Sequence, residues 1–148
     1  LYLNVWLNQA EIPAAIKANL IDTDGDGLIT FRDLNDTRNQ GPGKITDLNQ
    51  NGYIDGGDVI KPVAQGGWAD GISNNGDRYV DDLIGWNFVT NTNDPFDDHG
   101  HGTHVSGTIG AIGDNGLGVA GLAWNSQVMG LKIFDSRAAG DTGWATAA

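Results

Sequence analysis

A repeated run of acidic and amide residues constrains the fold of this chain more than any other sequence feature. One copy spans residues 22–33 and the other spans residues 47–58, so the two starts are 25 positions apart. Each copy has an oxygen-bearing side chain at positions 1, 3 and 5, glycine at position 6 and aspartate at position 12. Alternate residues of a tightly curved loop point inward, and Gly27 or Gly52 permits the sharp turn. The repeat therefore predicts two loops that each surround one ion.

Both copies fit the twelve-residue calcium loop of EF-hand type, in which positions 1, 3, 5, 9 and 12 supply side-chain oxygens and position 7 supplies a carbonyl. Calcium is the expected ion because every ligand is a hard oxygen. In the first loop the predicted ligands are Asp22, Asp24, Asp26, the Leu28 carbonyl, Thr30 (directly or through water) and Asp33. In the second loop they are Asp47, Asn49, Asn51, the Tyr53 carbonyl, Asp55 and Asp58. The alternative is a solvated turn rich in Asp and Asn, which the double match disfavours.

Other details of these loops lead to further expectations. Aspartate at position 12, in place of the longer glutamate, resembles the dockerin-type loop. Ile29 and Ile54 stand at position 8, where paired loops of EF-hand type bridge to each other. No helix is expected before the second loop, because residues 40–43 read Gln-Gly-Pro-Gly. Residues 73–81 carry the pattern in weaker form, with serine at position 1 and arginine at position 6, and are either a third cation site or a turn.

The distribution of charge favours cation binding over nucleic-acid binding. The net charge is −11, from 19 acidic and 8 basic residues, and 18 of the acidic residues are aspartate. Fifteen of those aspartates lie between Asp22 and Asp98, whereas a nucleic-acid interface needs basic surface. The sequence contains no apolar run of 18 residues, the length that would suggest a membrane span. Cysteine is absent, so disulfides are excluded, and bound metal is an alternative means of stabilisation.

The segments on either side of the acidic region predict an α/β arrangement. An extended apolar start is followed by a helix-like stretch with Pro13 at its first position. After the acidic region comes strand, helix and buried apolar strand, an order that favours a parallel sheet. The predicted boundaries are residues 1–7 and 14–21 for the first two segments, 85–89, 103–112 and 128–134 for the strand–helix–strand unit, and a further helix from Trp144.

Three histidines in the short segment Asp-Asp-His-Gly-His-Gly-Thr-His are the sharpest candidates for chemistry. His101 lies at the N-terminus of the predicted helix with glycine on both sides, so backbone and substrate can approach it closely. Three interpretations are open: His101 is a general base, it binds a transition metal with His104 and His99, or the histidines cap the helix. The zinc-peptidase pattern His-Glu-x-x-His needs a spacing of four and a glutamate, and both are missing here.

Residues 100–109 resemble the active-site histidine motif of the subtilisin-like serine peptidases (subtilases, peptidase family S8). The resemblance continues through residues 114–123 and into Leu131-Lys132-Ile133, and upstream it includes residues 86–89 and 93–98. It covers residues 83–148 well and residues 1–13 loosely. In this family the first histidine of the motif is the catalytic base of an Asp-His-Ser triad, so the resemblance implies that role for His101.

The resemblance also implies binding residues around this histidine. The loop after the helix resembles the calcium loop of the family, with the Asn115 side chain and the Leu117 and Val119 carbonyls as ligands. Ala138 and Gly140 lie in a segment that resembles the one on which extended polypeptide substrate adds a β-strand. The family often has glycine where Ala138 stands. The family further implies a secreted, extracellular protein with calcium as its cofactor and no nucleic-acid or membrane partner.

The predicted fold class is α/β: a partial subtilisin-like parallel sheet with helices, plus an irregular calcium-binding insertion over residues 14–82. Residues 1–148 are interpreted as an incomplete N-terminal part of the catalytic domain, because no Asp-Ser/Thr-Gly or Gly-Thr-Ser-Met stretch carries the other triad members. The predicted function is peptide-bond hydrolysis by the full-length protein, with the fragment itself inactive. The alternative is a calcium-binding docking or adhesion module, or a pseudopeptidase, which rests on the paired loops.

Overall fold

A computed structural model describes all of residues 1–148. Its helices and strands are short and are separated by long turns. The helices are α1 Ala14–Lys17, α2 Phe31–Leu34, α3 Gly56–Val59, α4 His101–Gly110 and α5 Thr142–Ala147, and the strands are β1 Gly85–Asn87 and β2 Gly130–Lys132. Short 3-10 helices cover Tyr2–Asn4, Thr37–Asn39 and Val63–Gln65. None of the helices has the length and apolar character that crossing a membrane requires.

The two strands form a parallel sheet with α4 between them in sequence, which confirms the predicted strand–helix–strand unit. Gly85 pairs with Gly130, and Asn87 pairs with Lys132. Gly85 has a φ of 126°, and a Cβ on it would lie 1.9 Å from the Gly130 carbonyl oxygen, so the strands can approach this closely only because the residue is glycine. A single parallel bridge from Val5 to Val128 continues the pairing beyond β2.

Several predicted boundaries are wrong. The first helix ends at Lys17 instead of residue 21, and α4 begins at His101, two residues before the predicted start. The strand predicted over residues 128–134 has three residues, and it is not buried, since Leu131 is 39% exposed and Phe134 is 52% exposed. The apolar composition of this segment is typical of a covered strand, but no second layer packs on this face within residues 1–148.

The main hydrophobic core lies largely in the acidic insertion, which is therefore less irregular than predicted. Eight of the twelve residues of the core cluster belong to residues 14–82. The members are Leu7, Ile12, Ile29, Phe31, Leu34, Ile45, Ile54, Val59, Ile60, Trp68, Leu83 and Ile84. Each acidic loop ends in a short helix, and apolar residues of α2 and α3 contribute to this core. Burial of such side chains contributes roughly 1.5–3 kcal/mol each, so the insertion contributes much of the stability of the chain.

The two acidic loops do not bridge to each other as the position-8 isoleucines suggested. The backbone of Ile29 is held instead by the Gln9 amide, which accepts from the Ile29 N–H at 3.0 Å and donates to its carbonyl at 2.7 Å. Asn35 does the same for Ile54, at 2.9 and 2.8 Å. Side-chain amides can satisfy both backbone groups of a residue, so the usual pairing of the loops is not needed.

One buried asparagine connects the insertion to the helix that carries His101. Asn4 Nδ2 donates to the Gly110 carbonyl at 2.8 Å and to the Trp124 carbonyl at 2.6 Å. Its Oδ1 accepts from Arg32 Nη2 at 2.9 Å. Because Arg32 lies in α2, directly before the last residue of the first acidic loop, the C-terminal end of α4 and the insertion share one hydrogen-bonded residue.

Candidate functional site

His101 is the first residue of α4 and is exposed. The residue before it, Gly100, has a φ of 94°, a left-handed conformation that suits glycine and turns the chain sharply into the helix. His101 lines a groove of about 720 Å³ that runs along β2 and is bordered by Phe96 and Met129. The groove is largely apolar and open, so the imidazole can reach a bound chain and remain in contact with water.

Asp97 fixes the N-terminus of the helix that carries this histidine. Its Oδ2 accepts from the Thr103 N–H at 2.7 Å, and its Oδ1 accepts from the His99 N–H at 3.0 Å. The Thr103 N–H, followed by that of His99, holds the pKa of Asp97 well below its usual range. A carboxylate at this position satisfies helix N–H groups that have no partner within the helix. The sequence pattern does not predict this role, because a capping side chain usually comes directly before the helix, where Gly100 stands.

A second contact joins the same segment to the sheet. Lys132 of β2 forms an ion pair with Asp98 at 2.5 Å, and the lysine side chain is only 10% exposed. Asp97 and Asp98, which both precede the turn at Gly100, are thus held by the helix end and by β2. His101 is therefore positioned from two directions without using its own side chain.

Replacing Asp97 by alanine is expected to lower the free energy of unfolding by about 1–2 kcal/mol at pH 7, the range measured for lost helix caps. Because the folded pKa of Asp97 is depressed, its contribution is present above the pKa of the unfolded carboxyl and is lost as pH falls through the folded value. The difference between the variant and the unaltered chain should therefore shrink below about pH 4.

Urea unfolding of the two chains at pH 7 and at pH 3.5 measures this difference. Asp94→Ala is the matched control, because Asp94 is exposed and accepts only a local hydrogen bond from the Phe96 N–H. A cost at Asp97 that equals the cost at Asp94, or that does not decrease in acid, would contradict the capping role.

The first acidic loop brings three of its predicted ligands together. Ligand oxygens of Asp22, Asp24 and Asp33 lie within 4.8 Å of one another. Asp22 accepts from the N–H groups of Gly25 and Gly27, both at 2.7 Å, and the Gly27 N–H is the main reason why its pKa is lowered. Asp26 lies outside this group and accepts from the Leu28 N–H at 2.8 Å.

Two predicted ligands of the first loop, Thr30 and Asp33, form the cap of α2. Asp33 is fully buried, and Thr23 and Thr30 each donate to it through both an N–H and a hydroxyl. Burial acts to raise the pKa of Asp33, but these hydrogen bonds outweigh it and the pKa is lowered. Thr30 thus caps α2 with its side chain, and its predicted contact with the ion remains a prediction.

The second acidic loop has the same backbone but a looser set of carboxylates. Asp47 accepts from the Gly52 N–H at 2.7 Å, and Asp58 accepts from the Leu48 N–H at 2.8 Å. Burial raises the pKa of Asp58. Asn51 Nδ2 donates a hydrogen bond to Asp55 Oδ2 at 2.7 Å. Asp47, Asp55 and Asp58 do not approach one another as the three carboxylates of the first loop do.

The sites predicted after α4 lie in turns. Asn115 Oδ1 accepts from the Leu117 N–H at 3.0 Å, and both Leu117 and Val119 are exposed. Ala138 has a φ of 58°, which is left-handed and not extended, a conformation that favours glycine. Gly140 pairs with Phe134 in a single antiparallel bridge.

Both of these segments are turns, and the second one is held by Asp135. Asp135 tightens the second turn, because its Oδ1 accepts from the N–H groups of Arg137 and Ala139, both at 2.9 Å. Local hydrogen bonds of this kind favour a turn over an extended strand. The roles of Asn115, Leu117 and Val119, and of Ala138 and Gly140, therefore stay predictions.

Comparison with known proteins defines the class to which this chain belongs. The sequence profile of peptidase S8, described as the subtilase family, matches residues 13–148. The chain is therefore a member of the subtilase family, as the histidine motif suggested. A small parallel sheet with helices is the arrangement expected for part of such a protein.

Individual relatives are similar to this chain over about half of its length or less. Subtilisin-like protease 1 of Plasmodium berghei (strain Anka) is 45% identical over 74 residues, which are 50% of this chain and 12% of that protein. The cell wall-associated protease of Bacillus subtilis (strain 168) is 46% identical over 59 residues, 40% of this chain and 7% of that protein. Thermitase of Thermoactinomyces vulgaris is 36% identical over 56 residues, 38% of this chain and 20% of that protein. The matched segment thus spans a fifth or less of each of these three relatives.

Proposed function

We propose that this chain is the histidine-bearing part of a subtilisin-like serine endopeptidase, with His101 as the general base. The observation that carries the proposal is the position of His101. It is exposed at the first residue of α4, beside an open apolar groove, and lies in a segment that matches the family profile. The curated relatives that match are proteases by name, which supports a polypeptide substrate.

His101 performs two proton transfers in this reaction. It removes the proton of a serine hydroxyl as that oxygen attacks the peptide carbonyl to form a tetrahedral intermediate, which becomes the acyl-enzyme when the amine leaves. It then donates the proton to the leaving amine. The serine and the aspartate that orients the imidazole are expected outside residues 1–148, so this segment alone is expected to hydrolyse no peptide.

The substrate is proposed to bind in extended form along the groove. The backbone of Ala138 and Gly140 would pair with it as an added strand. This pairing requires an extended backbone, so the turn around Ala138 must open when substrate binds.

Calcium is the proposed cofactor, with a structural role. The donor chemistry of the first loop fits this ion, since Asp22, Asp24 and Asp33 offer only oxygen and lie within 4.8 Å of one another. The second loop is proposed to bind through Asp47, Asn49, Asn51, the Tyr53 carbonyl, Asp55 and Asp58. The loop at Asn115, Leu117 and Val119 is proposed as a further site by family likeness. The bound ion would neutralise neighbouring carboxylates that otherwise repel one another.

Covalent labelling of the complete polypeptide tests the proposed activity. A fluorophosphonate reagent, which reacts with activated serine hydroxyls, should label that polypeptide once, and the labelled protein should lose the ability to cleave casein. Residues 1–148 alone should be neither labelled nor active. A complete polypeptide that is folded and binds calcium, but is not labelled, would contradict the peptidase proposal and favour a pseudopeptidase.

A calcium-binding docking or adhesion module is the second candidate function. It is favoured by the core in residues 14–82 and by the acidic group of the first loop, both of which lie outside the histidine segment. It leaves the arrangement around His101 without a role. An extracellular location suits both candidates, because weak calcium loops are filled at the millimolar calcium concentrations found outside cells.

A further inference from the structure

Residues 73–79 have the same backbone-to-side-chain hydrogen bonds as the two acidic loops. The Asp77 N–H donates to Asn75 Oδ1 at 2.9 Å, and the Tyr79 N–H donates to Asp77 Oδ1 at 2.7 Å. Positions 3, 5 and 7 of both acidic loops are joined in the same way. This segment lacks carboxylates at positions 1 and 12, which are Ser73 and Ile84, so by itself it is an incomplete site.

A glutamate from a distant segment supplies a carboxylate at this place. Glu11, the only glutamate of the chain, is 0% exposed, and its Oε1 accepts from the Asn75 N–H at 2.9 Å. Its Oε2 is buried and has no hydrogen-bond partner. Leaving a buried carboxylate oxygen unpaired costs free energy, and a bound cation is one way to remove that cost.

Asp82 is a second buried carboxylate, linked to Glu11 through Asn8. It is 5% exposed, and its Oδ1 accepts from Asn8 Nδ2 at 3.0 Å, while the Asn8 carbonyl accepts from the Glu11 N–H. Burial, and then the negative charges of Asp77 and Glu11, raise the pKa of Asp82 to about 6. None of the three ion pairs of the chain includes Glu11, Asp77 or Asp82, so no basic side chain balances their charge.

We propose that Glu11, Asp77 and Asp82 form an additional divalent-cation site that binds calcium. Glu11 Oε2 and Asp82 are the buried ligands, and the Tyr79 carbonyl stands at the position equivalent to Leu28 and Tyr53. The three carboxylates are farther apart than those of the first loop, so binding should draw the exposed Asp77 inward.

Such an ion would hold together two segments that are distant in sequence. Asn8 donates its N–H to the Leu83 carbonyl at 2.8 Å, two residues before β1 begins. An ion between Glu11 and Asp82 would therefore fix the N-terminal segment against the entry to β1, the strand that leads towards the His101 segment. Its role would be to stabilise this part of the fold, independently of the two acidic loops.

The stoichiometry of calcium binding to residues 1–148 tests the proposal. Glu11→Gln, which is nearly isosteric, should bind one calcium ion fewer than the unaltered chain in native mass spectrometry and in calorimetric titration with calcium chloride. Asp82→Asn should lower the affinity of the same site by at least about tenfold, the lower end of the effect known even for residues behind the ligands. Asp94→Asn, an exposed carboxylate away from the group, is the matched control and should change neither quantity.

Thermal unfolding separates an ion ligand from a structural residue. In EDTA, Glu11→Gln should melt at the same temperature as the unaltered chain or higher, because it removes an unpaired buried charge. In calcium, the variant should gain less stability than the unaltered chain. A lower melting temperature of the variant in EDTA together with an equal calcium stoichiometry would overturn the proposal. Asp24→Asn, which alters only the first loop, shows whether that loop binds calcium, so the two outcomes are distinguishable.

Discussion

Replacing His101 by alanine in the complete polypeptide is expected to lower kcat for peptide hydrolysis by about a million-fold, the loss measured when the histidine of such a triad is removed. The effect is this large because the serine hydroxyl is a weak nucleophile unless a base accepts its proton. His101 is exposed, so its removal leaves no cavity, and the free energy of unfolding should change by less than about 0.5 kcal/mol.

His104→Ala is the matched control for this prediction. His104 lies on the same helix, is exposed and has the same side-chain chemistry. Its substitution should leave kcat within about tenfold of the unaltered enzyme, since it lies one turn away from the proposed base. Equal proteolysis by the His101 variant and the unaltered enzyme would contradict the proposed role, and so would an equal loss in both variants.

Chelation of calcium is expected to lower the melting temperature of residues 1–148 by about 15–30 °C. Each filled loop adds about 4 kcal/mol when free calcium is about a thousand times the Kd. Two loops add about 8 kcal/mol, and each kcal/mol corresponds to about 2–4 °C in a domain of this size. The loss should be cooperative, because eight of the twelve core residues lie in the insertion that carries both loops.

Calorimetric melting in calcium chloride and in EDTA measures this effect. Asp24→Asn should remove the gain that the first loop contributes, about half of what the two acidic loops add together, whereas Asp36→Asn should leave the gain unchanged. Asp36 is a fair control because it lies in the same insertion but pairs with Arg38 outside the loops. Equal melting temperatures in calcium and in EDTA would show that the acidic loops are solvated turns.

Much of the local structure could be predicted because it depends on neighbouring residues. Gly27 and Gly52 take the left-handed conformations that the loop pattern requires, with φ of 87° and 91°. The strand–helix–strand order predicted a parallel sheet, and β1 pairs with β2 in that way. The histidine motif predicted a subtilase, and the family profile matches residues 13–148.

Burial and long-range contacts could not be predicted in the same way. The acidic composition of residues 14–82 indicated an irregular insertion, yet this part carries most of the core, since eight apolar residues spread through it come together. The apolar strand at residues 128–134 was expected to be covered, but cover depends on other segments. The capping role of Asp97 could not be predicted, because the N–H group that it accepts from belongs to Thr103, six residues away.

By itself, the sequence determined the turn chemistry of the acidic loops, the α/β order around His101 and the family. These follow from residue spacing over a few positions, which acts through backbone sterics and short hydrogen bonds. Only the tertiary structure decided that Glu11 meets Asn75, 64 positions away, and that Asn4 holds Gly110, 106 positions away. Contacts over such distances depend on how the whole chain packs, because many pairings are sterically possible and only the shared core selects among them.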